Sequence, residues 1–305
     1  MTLTKKILIG SIIVTLFGNL PADEPQIVQS MVWQKVTDNL NFPEGPAWDG
    51  ENNLYFSNCY GGWIGRTDSV HTERFLSATT DSTGFLKTNG LAFFHGRLYA
   101  CDMERKQILK IAPGGQVEVY AAGFNGNRFN RPNDLAFDRQ GNLYFTDPVS
   151  YDCAKPDGRV YRVSINDKTV TIVQDNMAFS NGIAFSPDFK YLYVAESACE
   201  RVDRFKVLPD GRLAEKEVFI HLPGGDPDGL AFDVHGNLYI AHFGGGTVYI
   251  VNPQGVIVRK ILAPGLKPSN LEFGGRDLKT LYLTEDETNA LYCLPVEIPG
   301  LTLPE

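Results

Sequence analysis

A Leu-Tyr pair recurs at a near-constant spacing six times along the chain, at Leu54, Leu98, Leu143, Leu192, Leu238 and Leu281, in steps of 44, 45, 49, 46 and 43 residues, with a seventh pair at Leu291 outside that spacing. Each of the six opens a short β-rich run: LYFSN, LYACD, LYFTD, LYVAE, LYIAH and LYLTE. A second related run precedes each by about ten residues, reading PEGPAW, TNGLAF, PNDLAF, SNGIAF, PDGLAF and PSNLEF. Turn residues such as Asp138-Arg139-Gln140-Gly141-Asn142 separate the two runs and predict hairpins. A period of about 45 residues holding several strands is the mark of a propeller blade. One such sheet cannot bury both of its faces, so neighbours must stack around an axis until the ring closes. The reading is an all-β, six-bladed β-propeller. A strand over 31–36 is left over at the N-terminal side, and it is expected to pair beside 290–296 and close the last blade.

Composition narrows the function classes. The 305 residues are 43% hydrophobic and 21% charged, enough apolar material for a sizeable core. The net charge of −8 leaves no basic face for phosphates, so no nucleic-acid partner is expected. The first 22 residues differ in kind. Lys5 and Lys6 precede an apolar run over 7–17, then Gly18-Asn19-Leu20-Pro21-Ala22. That order is expected of a cleaved export signal, and the run is short for a membrane span of about 20 residues. The chain therefore divides into a leader over 1–22 and one propeller over 23–305, placing the protein in the periplasm or medium with no stable membrane span. An uncleaved N-terminal anchor is the alternative. Five cysteines without CxxC spacing predict neither a zinc site nor a disulfide framework.

In a propeller the first strand of each blade lines the central tunnel, so equivalent positions form rings. The residue second in register in the inner runs is Glu44, Asn89, Asn133, Asn181, Asp228 and Ser269. Each carries a side-chain oxygen in an otherwise apolar strand. Two carboxylates with amide oxygens, and neither cysteine nor histidine, form a donor set for a hard cation. Calcium is the first choice, with magnesium, manganese or zinc as alternatives. Any one of these dipeptides alone reads as an ordinary turn former; six in register do not. A second ring lies four residues after each Leu: Asn58, Asp102, Asp147, Glu196, His242 and Glu285.

The runs FPEGPAWD, FNRPNDLAFDRQGNLYFTDP, FSNGIAFSPD and DPDGLAFDVHGNLY resemble those of the gluconolactonase, senescence-marker-protein and luciferin-regenerating-enzyme family, over residues 41–285. The resemblance implies a six-bladed propeller with a divalent metal held by Glu44, Asn181 and Asp228. It implies Asn133 as a fourth ligand or a substrate contact, and Arg131 as a substrate-binding residue. Asn89 and Ser269 complete the ring on the substrate side. One run departs from the family pattern: Val149-Ser150-Tyr151-Asp152 follows FTDP where Tyr-Gly is common, so Tyr151 is displaced.

The expected activity is metal-dependent hydrolysis of a small-molecule lactone or related ester, with the ion acting as a Lewis acid. Asp228, Asp147, Glu285 and His242 are the candidates for proton transfer. No G-x-S-x-G elbow is present, which excludes the common α/β-hydrolase route. Two competing readings remain: a non-catalytic propeller stiffened by its ion and binding a partner, and a metal-free enzyme of the strictosidine-synthase type. The oligomeric state is not legible.

Overall fold

The computed structural model of the protein describes residues 26–28, 31–81 and 84–302; the leader expected over 1–22 lies outside them. Six antiparallel sheets follow one another in chain order, and their innermost strands are Pro43–Trp48, Thr88–Phe94, Leu135–Phe137, Ser180–Phe185, Asp226–Phe232 and Pro268–Gly274. Strand Gln34–Thr37 pairs antiparallel with Ala290–Pro295, so the N-terminal segment closes the sixth blade, as its strand character predicts. A further strand, Gln26–Val28, adds parallel to Ile257–Leu262 on the fifth blade, which the repeat does not announce. Among the described residues no helix is long and apolar enough to cross a membrane.

The Leu-Tyr repeat has a direct physical cause. Successive residues of a strand face opposite sides of the sheet. Each Leu therefore packs toward the preceding blade and each Tyr toward the following one. Leu98 joins Tyr55 in the apolar core between blades one and two, Leu143 joins Tyr99 between two and three, and Leu281 joins Tyr239 between five and six. The last core sets Leu54 of blade one against Tyr282 of blade six and closes the ring. Burying each such side chain contributes about 1.5–3 kcal/mol.

The inner strands carry a local irregularity where it matters. In five of the six, ladder pairing skips residues beside the ring position: between Glu44 and Ala47, Thr88 and Leu91, Ser180 and Ile183, Pro227 and Leu230, and Pro268 and Asn270. Such bulges bend a strand and re-aim a side chain. They also need glycine. Gly45 has φ +47°, and a Cβ there would sit 2.4 Å from Asn89 O, so only glycine lets blades one and two approach this closely at the axis.

The cysteine expectation is corrected in part. Cys153 and Cys199 form a disulfide, with Cα atoms 4.9 Å apart. Cys59 and Cys101 are buried free thiols, and Cys293 is half-buried and free. Cys153 lies in a connection that the repeat does not specify, which is why spacing along the chain misses the pair.

Candidate metal centre and active site

One cavity of about 160 Å³ at the tunnel mouth is lined by Glu44, Asn89, Arg131, Asn133, Asn181 and Asp228. These are six of the residues expected there, delivered by five different blades. Their side chains reach the mouth because the bulges turn them out of the ladder. Asn133 stands just before its strand, its N–H donating to Thr146 O at 2.9 Å. Asn181 Nδ2 donates to Ser197 Oγ at 3.1 Å, which fixes the amide and leaves its carbonyl oxygen without that donor. Asn89 Oδ1 is buried with no hydrogen-bond partner.

The electrostatics of this mouth are unbalanced. Glu44 and Asp228 are almost fully buried. Neither forms an ion pair with Lys or Arg among the described residues. Burial, then the neighbouring carboxylate of Asp134, pushes Glu44 far above the ordinary range. Burial, then the charges of Glu44, Asp286 and Asp134, does the same to Asp228. Adjacent buried acids without a counter-charge must either hold protons or take up a cation.

The donor set fits a hard cation. An unpartnered amide oxygen, a second amide fixed through its nitrogen and two unneutralised carboxylates are oxygen ligands alone. Among the described residues no group of three or more His, Cys, Asp or Glu that could hold a metal is present, so the candidate set rests on two carboxylates and amide oxygens. Glu44, Asn133, Asn181 and Asp228, the four expected ligands, all line this cavity.

Ser269 is not among the cavity residues. Its hydroxyl donates to Pro43 O at 2.8 Å and so ties blade six to blade one. The second ring also corrects an expectation. Asp147, Glu285 and His242, expected as proton-transfer groups, do not line the cavity. Asp147 accepts the backbone N–H of Asn130 and Arg131. Glu285 accepts those of Lys267 and Thr288. His242 donates through Nε2 to Leu222 O at 2.9 Å. Asn58, Asp102 and Glu196 act alike, accepting from Asn41, Lys87 and Ala178. All six therefore brace the segment that leads into their own blade's inner strand. Each member thus makes at least one hydrogen bond to that backbone, while His242 Nδ1 is buried without a partner.

Reading along the sequence misses two features. Asp286, one residue past the second ring, has both carboxylate oxygens buried and without a hydrogen-bond partner. Burial and the charge of Glu44 hold it well above the usual carboxylate range. At the same register stand Cys59, Met103, Pro148, Ser197 and Phe243, so an alignment shifted by one residue would have shown a lone acid. The cavity walls are the other omission. Phe42, Tyr60, Met103, Tyr151, Phe179 and Phe243 surround the polar floor, and most sit in connections where no repeat signal applies.

Comparison with known proteins agrees with this architecture. The chain is 33% identical over 259 residues to Lactonase drp35 of Staphylococcus haemolyticus, covering 79% of this chain and 76% of that protein. It is 26% identical over 303 residues to the diisopropyl-fluorophosphatase of Loligo vulgaris, covering 90% and 93%. Among solved structures, a gluconolactonase from Xanthomonas campestris superposes with a TM-score of 0.77 at 28% identity, over 88% of this chain and 89% of that one. The model of the SMP-30/Gluconolactonase/LRE-like region matches residues 42–286, which takes in all six inner strands, and the chain belongs to that family.

Proposed function

We propose that the protein is a divalent-cation-dependent hydrolase of lactones or closely related esters, with calcium as the ion. The observation that carries this reading is the convergence of Glu44, Asn133, Asn181 and Asp228 on one solvent-connected cavity, whose buried acids Glu44 and Asp228 have no ion pair with Lys or Arg among the described residues. The names of its relatives, a lactonase, a gluconolactonase and a fluorophosphatase, support hydrolysis at an electrophilic carbonyl or phosphoryl centre.

When bound, a hard divalent ion supplies Lewis-acid polarisation of the carbonyl oxygen, worth several kcal/mol in the transition state. The chain's own groups do the rest. Arg131 borders the cavity and offers planar N–H donors to the oxygen that gains charge. Asp228 is the lining acid that takes the proton of the attacking water and returns it to the ring oxygen as the C–O bond breaks. Lactone and water then become a hydroxy acid. Burial first, then the carboxyls of Glu44, Asp286 and Asp134, raises the proton affinity of Asp228. The aromatic walls exclude water and favour the apolar part of a substrate. The Cys153–Cys199 bond supports an oxidising compartment, in line with the export signal proposed for 1–22.

The test is turnover of a lactone panel (gluconolactone, dihydrocoumarin and a homoserine lactone) with and without chelator, on wild type and Asp228→Ala. Chelator-sensitive hydrolysis that the variant loses is the expected result. Folded protein with no turnover on any member would favour the non-catalytic reading, and turnover indifferent to chelator the metal-free one.

A further inference from the structure

The third blade breaks the repeat at one place. At the tunnel-mouth face, the connection from second to third strand is a tight turn in five blades: 59–62, 103–106, 197–200, 244–246 and 286–289. In the third blade the same connection runs from 148 to 157. A blade needs no such excursion to close its hairpin, and the excursion is tied down rather than loose. Ser150 donates through its N–H and its hydroxyl to the Asp157 carboxylate, each at 2.8 Å. Cys153 is bonded to Cys199 of the fourth blade. Cys199 ends a 3-10 turn that begins at Ser197, and Ser197 Oγ donates to Pro227 O at 2.8 Å while accepting from Asn181. The staple thus anchors the excursion to the scaffold of the centre itself.

What this holds in place is Tyr151. Its hydroxyl donates to Asp226 Oδ1 at 2.5 Å, on the fifth blade, and its ring meets the edge of Phe179 at 5.1 Å on the way into the fourth. The side chain therefore spans from blade three to blade five across the cavity rim. It lines the cavity, yet it is 57% exposed, so core burial does not account for its position. Phe179 is itself held at φ +57°, a conformation an aromatic residue adopts only when its surroundings impose it.

We propose that residues 148–157 form a covalently stapled arm whose Tyr151 ring is a specificity-determining wall of the substrate site, with Cys153 and Cys199 as its positioning residues. The arm selects substrates carrying a flat apolar group beside the reacting ester, which can lie against the Tyr151 and Phe179 rings, over small lactones that cannot reach them. This rests on reading the cavity as the lactone site.

The experiment compares KM and kcat for dihydrocoumarin and for γ-butyrolactone in wild type, Tyr151→Ala, Tyr151→Phe, the Cys153→Ser/Cys199→Ser double variant and the triple variant, with melting temperature as the folding control. Tyr151→Ala and the double variant are expected to raise KM for dihydrocoumarin roughly five- to tenfold more than for γ-butyrolactone, about what losing a ring contact costs. Effects on kcat should be small. Tyr151→Phe, which keeps the ring and loses only the Asp226 anchor, should fall between. The triple variant should lose no more discrimination than Tyr151→Ala alone, since the staple acts through that ring. A double variant that melts lower but keeps wild-type discrimination would reduce the disulfide to a stabilising cross-link and overturn the proposal. Chymotrypsin gives a readout independent of turnover. Tyr151 is exposed on the arm and is followed by Asp152, and cleavage between them should be slow in wild type and fast in the double variant. If wild type hydrolyses neither lactone, the lactonase reading fails. Equal cleavage of the two forms, in that case too, overturns the staple.

Discussion

Replacing Glu44 by Gln should raise thermal stability in the absence of calcium, and calcium should erase most of that advantage. In the cation-free protein Glu44 is buried beside other acids and its pKa rises from 4.5 to about 8. A group with a raised folded-state pKa contributes stability below its unfolded value and loses it as pH climbs toward the folded one. At about pH 7 the group has climbed roughly 2.5 units past its unfolded value, which at 1.36 kcal/mol per unit costs the cation-free fold up to about 3 kcal/mol. Glutamine removes that cost. It keeps an oxygen for the Gly45 N–H, which Glu44 now accepts at 3.1 Å. At about 2 °C per kcal/mol for a domain of this size, the cation-free variant should melt up to about 6 °C above wild type.

Calcium closes most of the gap. For a site with a Kd near 10 μM, about 1 mM free calcium adds roughly 2.7 kcal/mol to wild type, or about 5 °C. The variant, having lost one of two charged ligands, should show little of this shift. Differential scanning fluorimetry at about pH 7, in chelator and in calcium, reads both arms. A Glu44→Gln protein that melts lower than wild type in chelator, or that keeps the full calcium shift, would show that these acids do not face one another around a cation. The reasoning about the centre would then be wrong.

Three further changes separate the roles assigned above. Asp147→Asn should lower kcat/KM about tenfold by loosening the Asn130–Arg131 backbone while leaving the shape of the pH–rate profile intact; abolished activity with a lost acid limb would make Asp147 a base after all. Asp286, pushed up to about 9, holds its proton near pH 7, so Asp286→Asn should leave the acid limb of kcat/KM where it is; a limb that moves to lower pH by about a unit would show that Asp286 is charged beside Asp228. Asp203, buried against Glu196 with Arg201 and Lys216 nearby, has its pKa raised to about 7, so wild type loses stability as pH rises from about 4 to about 7. Asp203→Asn should therefore gain melting temperature over wild type at about pH 8 but not at about pH 4, and equal differences at both would dismiss the titration.

How much of this could be read in the sequence follows from what repeats. The blade count, the tunnel and the closing strand near Gln34 were legible because each blade must solve the same burial problem, and Leu and Tyr alternate for that reason. The first ring was legible because the bulge recurs at one register in five inner strands. Ser269 shows where register stops being enough. It holds the ring position, but a small hydroxyl beside Pro43 O finds a backbone partner before it finds the tunnel. The second ring shows the converse. Its six polar residues look like a catalytic layer by type, and only the hydrogen bonds reveal that each is bonded to the chain entering its own blade.

The features that set this molecule apart from its own repeat all arise where periodicity lapses. Asp286 is an acid at a register otherwise filled by Cys, Met, Pro, Ser and Phe. The arm over 148–157 is an insertion in one blade of six. A repeat can place ligands symmetrically about an axis, and symmetry is what a cation needs. An ester approaching that cation is not symmetric: it has a carbonyl side, a leaving-group side and a remainder to be recognised. The ring must therefore be broken on purpose, and here it is broken twice. On the reading proposed above, an unpartnered carboxyl on blade six marks the side where a proton is held, and a stapled aromatic reaching from blade three to blade five marks the side where the remainder lies. On that reading the repeats carry the ion, while the departures from them carry the chemistry and the choice of substrate.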